Sequence, residues 1–331
     1  MPPTPTAATS RFPRPSVRTA LVAAVAALTA VTATACSTSS SSDSKAGGNA
    51  SAASGSAAGK KIEVVAAENF WGSIATQLGG DRVHVTSIIS NPDTDPHDYE
   101  PKAADARTVA GARYAIVNGI GYDAWADKLL AANPAGGRAE LKVGDLVGVK
   151  EGGNPHRWYS PDDVHKVIEK ITEDYKKADP ADAAYFDQQK TAYETKDLAP
   201  YTKLISEIKS KYADTPIGAS ESIVTPLSEG LGLKMLTPET FLDAMSEGTD
   251  PTAKDKAAID DQIKHQQIKV YVYNSQNSTP DVQAQVKEAK DAGIPVATVT
   301  ETLAPASTTF QQWQTAQLQG IEEALAKATG R

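Results

Sequence analysis

The sequence predicts an α/β protein of two lobes with mainly parallel sheets, joined by a long helical connector. Two observations support this prediction. In two separate parts of the chain, short β-branched segments alternate with helical patterns, and this alternation is typical of parallel sheets. Between those parts, residues 161–212 carry apolar side chains at the helical period of about 3.6 residues. We therefore expect a first lobe over 60–180, the connector over 181–213 and a second lobe over 214–331.

The first lobe is predicted to contain three strands that alternate with three helices. The strands are assigned to β-branched runs, and the first helix stops at a Gly-Gly pair. The predicted strands span 61–67, 83–89 and 114–117, and the predicted helices span 70–78, 103–110 and 123–130. Ligands bind beyond the carboxyl ends of parallel strands, so the segments that follow these strands are candidate binding sites.

The connector and the second lobe follow from the same patterns. Pro200 is expected to kink or interrupt the helical stretch, because proline cannot donate a backbone hydrogen bond. In the second lobe the predicted strands span 217–219, 234–236, 269–273 and 296–299, and the predicted helices span 223–231, 253–265, 282–292 and 309–328. A cleft between the two lobes is the expected ligand-binding site.

The N-terminal segment is predicted to lie outside the folded body. Residues 1–35 resemble a signal peptide, with three arginines before an apolar run at 19–31 that is short for a membrane span. Small residues then precede Cys36, as in the lipobox of bacterial lipoproteins, although Ala33 replaces the usual leucine. Plain secretion is the alternative. Residues 36–59 are rich in Ser, Ala and Gly and predict a flexible, lipid-anchored tether.

Charge and cysteine content exclude several classes of protein. The formal net charge is −8, and loss of residues 1–35 removes three arginines and no acid, which leaves −11. An acidic body argues against nucleic-acid binding and favours the attraction of cations. A single cysteine cannot form an internal disulfide, and there is no second apolar run of about 18 residues that would span a bilayer.

Two similar turns each present one histidine. His97 lies within 91–101 and His156 within 154–161, and in both turns one proline directly precedes the histidine and another closes the segment. Proline restricts the backbone and thereby fixes the direction of the imidazole. Two imidazoles presented in this way indicate a metal site, whereas two ordinary surface turns are the alternative. The other three histidines are expected to be structural: His84, His165 and His265.

These segments resemble the zinc/manganese ABC-transporter solute-binding lipoproteins, the TroA-like or ZnuA-like family. The most specific feature is the order of a Pro-His-x-Tyr-Glu-Pro motif at 96–101 and a Pro-His-x-Trp motif at 155–158. The resemblance extends over nearly all of the chain after the tether. Further matching segments lie at 68–72, 117–122, 220–222 and 299–303.

The resemblance implies four metal ligands from two lobes. The first two fall on His97 and His156, and the third falls on Glu221. The fourth is usually an aspartate in the family, and the matching position here is Glu301, whose side chain is one methylene longer. Glu221 and Glu301 each follow a predicted strand of the second lobe, which places them at the expected cleft. Without the resemblance, a solvated loop residue is the ordinary interpretation of either glutamate.

The fourth ligand position has an alternative in a polar cluster that follows another predicted strand. Asn274 or Gln276 could complete the site, or could line the cleft without binding the metal. Two imidazoles and two carboxylates suit Zn²⁺ when the carboxylates bind through one oxygen each, and Mn²⁺ when they chelate. The nitrogen and oxygen donors slightly favour zinc.

The resemblance also implies a function in metal uptake rather than catalysis. The chain is expected to capture Zn²⁺ or Mn²⁺ between its lobes and to deliver the ion to a membrane permease with a cytoplasmic ATPase. We expect a monomer that is anchored through Cys36 on the extracytoplasmic face of a bacterial membrane. The alternatives are a binding protein for a chelated-iron complex, a zinc-dependent hydrolase, and a surface protein for adhesion or metal storage.

Overall fold

The computed structural model describes residues 60–94, 96 and 99–331 of the chain. The predicted signal peptide, the lipidated Cys36 and the tether lie outside the described residues, and so does His97. Within the described part of the chain, no helix has both the length and the apolar character needed to cross a bilayer.

Two four-stranded parallel sheets form the framework. The strand order is β2-β1-β3-β4 in the first sheet and β6-β5-β7-β8 in the second, so both sheets have the same topology. The strands are β1 Ile62–Glu68, β2 Val83–Ile89, β3 Tyr114–Val117, β4 Ala139–Lys142, β5 Pro216–Ala219, β6 Lys234–Met235, β7 Val270–Asn274 and β8 Val296–Val299. These sheets confirm the predicted fold class of two parallel α/β lobes.

Twelve α-helices connect and cover the strands in the described residues. They are α1 Asn69–Gly79, α2 Ala103–Gly111, α3 Ala124–Ala132, α4 Val143–Val147, α5 Pro161–Ala178, α6 Ala183–Ala192, α7 Ala199–Tyr212, α8 Thr225–Gly230, α9 Glu239–Ser246, α10 Ala253–Lys264, α11 Pro280–Asp291 and α12 Phe310–Thr329. The helical segment between the sheets comprises α5, α6 and α7. The lobe boundaries drawn from the sequence stay predictions.

Pro200 shapes the helical segment as expected. The chain passes through one π-helical turn at Tyr193–Asp197, and α7 begins at Ala199 with Pro200 in its first turn. Proline is tolerated there, because the first backbone N–H groups of a helix have no intrahelical acceptor. The stretch is therefore interrupted at the N-terminal side of the proline rather than kinked at it.

Three elements were not predicted from the sequence: β4, α4 and α9. Strand β4 is an edge strand of sequence Ala-Glu-Leu-Lys, and only Leu141 of it is buried, so it has no apolar run to indicate it. Helix α4 has only five residues, which is too short for a periodic pattern. Helix α9 follows β6 directly and buries Phe241, Leu242 and Met245.

The hydrophobic core is shared between the lobes. One continuous cluster of buried side chains contains Val64 of the first sheet and Val272 of the second, together with aromatic side chains from the segment between them. A second, smaller cluster lies in the first lobe and includes Val65, Ala115 and Trp125. Because the main core is shared by both lobes, any relative motion of the lobes would have to disturb packed side chains.

Candidate metal centre

Three of the predicted site residues lie at or just beyond the carboxyl ends of strands, and His156 lies in the segment after α4. His156 lies directly before the 3₁₀ turn Arg157–Tyr159, and Glu221 follows β5. Asn274 is the last residue of β7, and Glu301 lies just beyond the end of β8. Strands β5, β7 and β8 are neighbours in the second sheet, so their carboxyl ends place these polar side chains at one edge.

His156 and Glu301 approach each other from different lobes. The distance from His156 Nε2 to Glu301 Oε1 is 3.8 Å, and the exposed fractions of the two side chains are 2% and 13%. Because both side chains are nearly buried, water screens the electrostatic interaction between them only weakly. The sequence separation of 145 residues shows that the pair is a product of the tertiary fold.

Asn154 fixes the orientation of the His156 ring from the Nδ1 side, which is opposite the side that faces Glu301. His156 Nδ1 lies 2.9 Å from Asn154 Oδ1, and the backbone N–H of His156 donates to the same oxygen at 3.0 Å. Asn154 in turn donates from Nδ2 to the backbone oxygen of Ser222 at 2.8 Å, which ties this turn to the second lobe. Because the amide oxygen can only accept, Nδ1 carries the proton, and the lone pair of the ring is on Nε2. This is the tautomer that metal binding through Nε2 requires.

Glu221 is a buried carboxylate that is held by two amides. Its side chain accepts hydrogen bonds from Asn274 Nδ2 at Oε1 and from Asn277 Nδ2 at Oε2, each at 2.6 Å. Only 2% of the residue is exposed. Both carboxyl oxygens of Glu221 therefore have an amide donor within hydrogen-bonding distance.

Asn274 also connects the two carboxylates. Its Nδ2 lies 3.4 Å from Glu301 Oε2, in addition to the bond to Glu221. Tyr122 donates its hydroxyl to Glu301 Oε1 at 3.0 Å, so each oxygen of Glu301 faces a donor. The Oδ1 atom of Asn274 accepts the backbone N–H of Gln276 at 2.9 Å. Asn274 therefore presents its NH₂ group, and not its oxygen, to the two carboxylates.

Gln276 reaches from the second lobe to the first. Its carboxamide binds the backbone N–H groups of Glu301 and Thr302 and also the backbone oxygen of Pro92. A cavity of about 400 Å³ opens beside these residues, with walls that include Thr94, Ser246 and Glu301. The site therefore has a polar, water-accessible side next to Glu301.

The predicted ligand set is only partly described. Among residues 60–94, 96 and 99–331, no three His, Cys, Asp or Glu side chains are placed so that they could hold a metal ion. The structure brings His156 and Glu301 together and links Glu221 to Glu301 through Asn274. The remaining predicted ligand, His97, is not among the described residues.

The other three histidines lie on β2, on α5 and at the end of α10, and their structural role stays a prediction. His84 is exposed on β2 and pairs with Glu63 through Nδ1 at 2.8 Å, and His265 caps the C-terminal end of α10. His165 lies on α5. These residues provide histidine controls for experiments on the site.

Comparison with known proteins decides the family. The family model described as zinc-uptake complex component A periplasmic, ZnuA, matches residues 64–324, which include both sheets. The chain belongs to the ZnuA family. The resemblance inferred from the two histidine motifs is thereby confirmed.

Curated relatives of this ZnuA-family chain are metal-transport proteins by name. The metal ABC transporter substrate-binding lipoprotein FimA of Streptococcus parasanguinis is 24% identical over 74% of this chain and 82% of its own length. The manganese ABC transporter substrate-binding lipoprotein PsaA of Streptococcus mitis is 29% identical over 55% of this chain and 60% of its own length. The manganese-binding lipoprotein MntA of Halalkalibacterium halodurans is 28% identical, and the chain spans 46% of that protein.

Solved structures support the fold of this ZnuA-family chain. A Mn-bound periplasmic metal binding protein from Candidatus Liberibacter asiaticus superimposes with a TM-score of 0.67 and 22% identity, covering 80% of this chain and all of that one. A crystal structure of ZnuA gives a TM-score of 0.65 and 19% identity with the same coverage. At this level of identity the superpositions establish the fold alone.

Sequence reasoning missed several residues that surround the ligands of this ZnuA-family site. Tyr122 donates to Glu301, and Asn154 orients His156. Both lie in segments named from the sequence, 117–122 and 154–161, but neither was singled out as a site residue. Asn277 belongs to the polar cluster after β7, so its position was a usable signal. Hydrogen bonds between residues so distant in sequence come from the fold and leave no periodic pattern.

A buried acid pair behind the site was also missed. Neither carboxyl oxygen of Glu68 has a hydrogen-bond donor among the described residues. The neighbouring group is the carboxyl of Asp123. Two carboxyl groups can form a hydrogen bond with each other only if one of them carries a proton. Burial raises the pKa of Glu68 well above its usual value, and the Asp123 charge raises it further. Burial also raises the pKa of Asp123, to about 6, although the backbone N–H groups of Gly119 and Asn118 oppose this.

Proposed function

We propose that this chain is the extracytoplasmic solute-binding component of an ABC importer, and that its cargo is Zn²⁺ or Mn²⁺. Membership of the ZnuA family and the names of the relatives FimA, PsaA and MntA support this proposal. The family consists of binding proteins and not enzymes. The comparisons do not favour the chelated-iron or hydrolase alternatives.

The observation that carries the proposal is the approach of His156 to Glu301. Two ligands of one tetrahedral Zn²⁺, each about 2.0–2.2 Å from the metal, lie roughly 3.4 Å apart. The Nε2–Oε1 distance of 3.8 Å is close to that separation, so a small shift of either side chain would allow one ion to bind both. We assign His97, His156, Glu221 and Glu301 as the four ligands.

The amide residues have a supporting role in this proposal. Asn274 turns its NH₂ group toward the carboxylates and engages its oxygen with Gln276, so a cation would meet a donor and not an acceptor. We therefore assign Glu301, and neither Asn274 nor Gln276, as the fourth ligand. The amides orient Glu221 and Glu301 before the metal arrives, as is usual for groups behind metal ligands.

The proposed ligand set suits a divalent transition metal. Two carboxylates would neutralise the charge of the ion in a nearly buried site, and neutral imidazoles provide the nitrogen donors that Zn²⁺ prefers. Each oxygen of Glu221 already accepts a hydrogen bond, which favours coordination through a single oxygen over chelation. This preference points to Zn²⁺, and chelation by Glu301 would point to Mn²⁺.

The proposed cellular setting follows from the family. The relatives FimA and PsaA are named as lipoproteins, and the present chain has Cys36 after an apolar segment. We propose that Cys36 is lipidated and that the folded body acts as a monomer on the outer face of the membrane. A permease with a cytoplasmic ATPase would accept the ion from the cleft.

The test is a comparison of metal affinity among site variants. In a competition titration with Zn²⁺ and a chromophoric chelator, His156→Ala and Glu301→Ala should each weaken binding by at least about 100-fold, because a ligand is lost from a four-ligand site. The stabilisation of the fold by Zn²⁺ should fall in parallel. His265→Ala, at an exposed position, should bind like the unaltered protein. Unchanged affinity in both site variants would refute the assignment.

A further inference from the structure

Gln276 occupies an unusual position relative to the proposed metal site. It belongs to the second lobe, two residues after the end of β7, and it contacts the first lobe at Pro92. It also contacts the backbone of Glu301, the proposed fourth ligand. The half-buried side chain of Gln276 thus contacts both the loop that carries Glu301 and the Pro92 segment of the first lobe.

All the hydrogen-bonding capacity of the Gln276 carboxamide is used. Its Oε1 accepts the backbone N–H of Glu301 at 2.6 Å and that of Thr302 at 2.9 Å. Its Nε2 donates to the backbone oxygen of Pro92 at 2.7 Å and to Thr302 Oγ1 at 3.1 Å. A carboxamide with two acceptor sites and two donor hydrogens has no further bond to make, so this orientation is fully specified.

The partners of Gln276 are themselves held by local hydrogen bonds. In the first lobe, Thr94 N–H donates to the backbone oxygen of Asn91 at 3.1 Å, and Asp93 N–H donates to Asn91 Oδ1 at 3.1 Å, which forms a tight turn around Pro92. In the second lobe, the backbone N–H of Gln276 is fixed by Asn274. The carboxamide therefore joins two hydrogen-bonded segments, one from each lobe.

We propose that Gln276 is a positioning residue for metal binding, and that it holds Glu301 at the coordination distance by bracing its backbone against the Pro92 turn of the other lobe. This inference rests on the proposed function of the same site. Gln276 does not touch the ion. It fixes the backbone from which the Glu301 side chain extends, and the flexible extra methylene of a glutamate makes such support more necessary than for an aspartate.

The inference predicts which variants lose affinity. Gln276→Ala removes all four hydrogen bonds and should weaken Zn²⁺ binding by 10- to 100-fold, the usual effect of removing a group behind a metal ligand. Gln276→Met keeps the side-chain volume without the hydrogen bonds and should lose as much. Gln267→Ala, at an exposed position before β7, is the matched control and should bind normally.

A double-mutant cycle separates positioning from a general structural role. If Gln276 acts through Glu301, then Gln276→Ala should cost less than about 3-fold in affinity when Glu301 is already replaced by alanine. The same change in the His156→Ala background should keep its full effect, since Gln276 does not contact His156. The d–d absorption of the Co²⁺-loaded Gln276→Ala protein should also differ from that of the unaltered protein, because the coordination geometry changes.

The possible results distinguish this inference from the proposed function. Equal losses in the Glu301→Ala and unaltered backgrounds would overturn the inference, as would normal affinity in Gln276→Ala or recovery of affinity in Gln276→Met. In each of those cases a strong loss in His156→Ala would leave the proposed function standing. Unchanged affinity in both His156→Ala and Glu301→Ala would instead overturn the proposed function, and the inference with it.

Discussion

At the residue scale, the site depends on amide side chains that surround the charged ones. Asn274 and Asn277 satisfy both oxygens of Glu221, and Tyr122 and Asn274 face the two oxygens of Glu301. Two carboxylates in a nearly buried site repel each other, and hydrogen-bond donors offset part of that cost. The amides provide those donors without adding charge to the site.

The buried Glu68 carboxyl gives a prediction on pH. Its pKa is raised in the folded protein, so between its unfolded value near 4.5 and the raised value the folded state keeps a proton that the unfolded state has lost. The contribution to stability is therefore complete below pH 4.5 and is lost as the pH rises through the folded pKa. The pKa of Asp123 is raised from 3.8 to about 6, so Asp123 adds a further loss of stability between pH 3.8 and about pH 6.

We expect Glu68→Gln to remove the Glu68 part of this loss, because the amide cannot ionise. Its free energy of unfolding relative to the unaltered protein should rise between pH 4 and pH 8, by roughly 1.4 kcal/mol for each unit by which the Glu68 pKa is raised. Urea unfolding at several pH values in the presence of a chelator measures this difference. Glu288→Gln, at an exposed position on α11, should show no such trend. A constant difference across the pH range would contradict the account of Glu68.

At the element scale, the side chain of Ile120, in the loop after β3, restricts which residue can occupy position 144. Ile120 has a φ of 62°, a left-handed conformation that is unfavourable for a β-branched residue, between Gly119 and Gly121, which also have positive φ. Its side chain lies against Gly144 of α4, where an added Cβ would be 2.5 Å from Ile120 Cγ1 and 3.1 Å from the backbone oxygen of Val149. The loop and α4 therefore fit only with glycine at 144.

We expect Gly144→Ala to destabilise the fold by roughly 1–3 kcal/mol, because neither the strained loop nor the backbone oxygen can move away cheaply. The free energy of unfolding from chemical denaturation measures the effect. Gly320→Ala is the control: Gly320 lies within α12 with open space around it, and alanine should stabilise the helix by about 0.5–1 kcal/mol. Equal effects of the two changes would show that the contact with Ile120 is not important.

The elements that could be predicted from sequence share a clear physical cause. Strands β2 and β3 are apolar or β-branched runs, so their composition predicts them. Helix α5 buries Val164, Val167 and Ile168 on one face, so its apolar period predicts it. Strand β4 could not be predicted, because an exposed edge strand has no need of apolar residues.

The site could be predicted only where topology determines it. Glu221 and Glu301 follow two parallel strands of the same sheet, β5 and β8, with β7 between them, and each was predicted from the sequence to follow a strand. The bond from Tyr122 to Glu301 and the brace of Gln276 on Pro92 join residues that are 179 and 184 positions apart. Such contacts depend on how the lobes meet, and no single segment of sequence contains that information.

At the scale of the whole molecule, the lobes share packing as well as a cleft. Helix α1 of the first lobe and α12 of the second are joined by a reciprocal amide pair, in which Gln77 and Gln311 donate to each other at 3.0 and 2.6 Å. Tyr159 donates to the backbone oxygen of Thr300 at 2.8 Å, and the main core includes buried side chains from both sheets. This packing resists a large opening of the lobes.

We therefore expect metal binding to change the overall shape very little. The radius of gyration from small-angle X-ray scattering should differ by less than about 1 Å between chelator-treated and Zn²⁺-loaded protein, compared with roughly 18 Å for a compact body of this size. Replacing both Gln77 and Gln311 by alanine should increase that difference. If Zn²⁺ binding decreased the radius of gyration of the unaltered protein by several ångströms, the lobes would close by a hinge motion. That result would contradict the role given to the shared core.

The most direct test of the central claim is the position of the metal in a crystal. Anomalous scattering at the zinc edge, from protein crystallised with Zn²⁺, should show one strong peak in the cleft. We expect the ion about 2.0–2.2 Å from His156 Nε2 and from oxygens of Glu221 and Glu301, with His97 completing the coordination. A peak only at exposed histidines such as His84 or His265, with the cleft lacking a peak, would contradict the account.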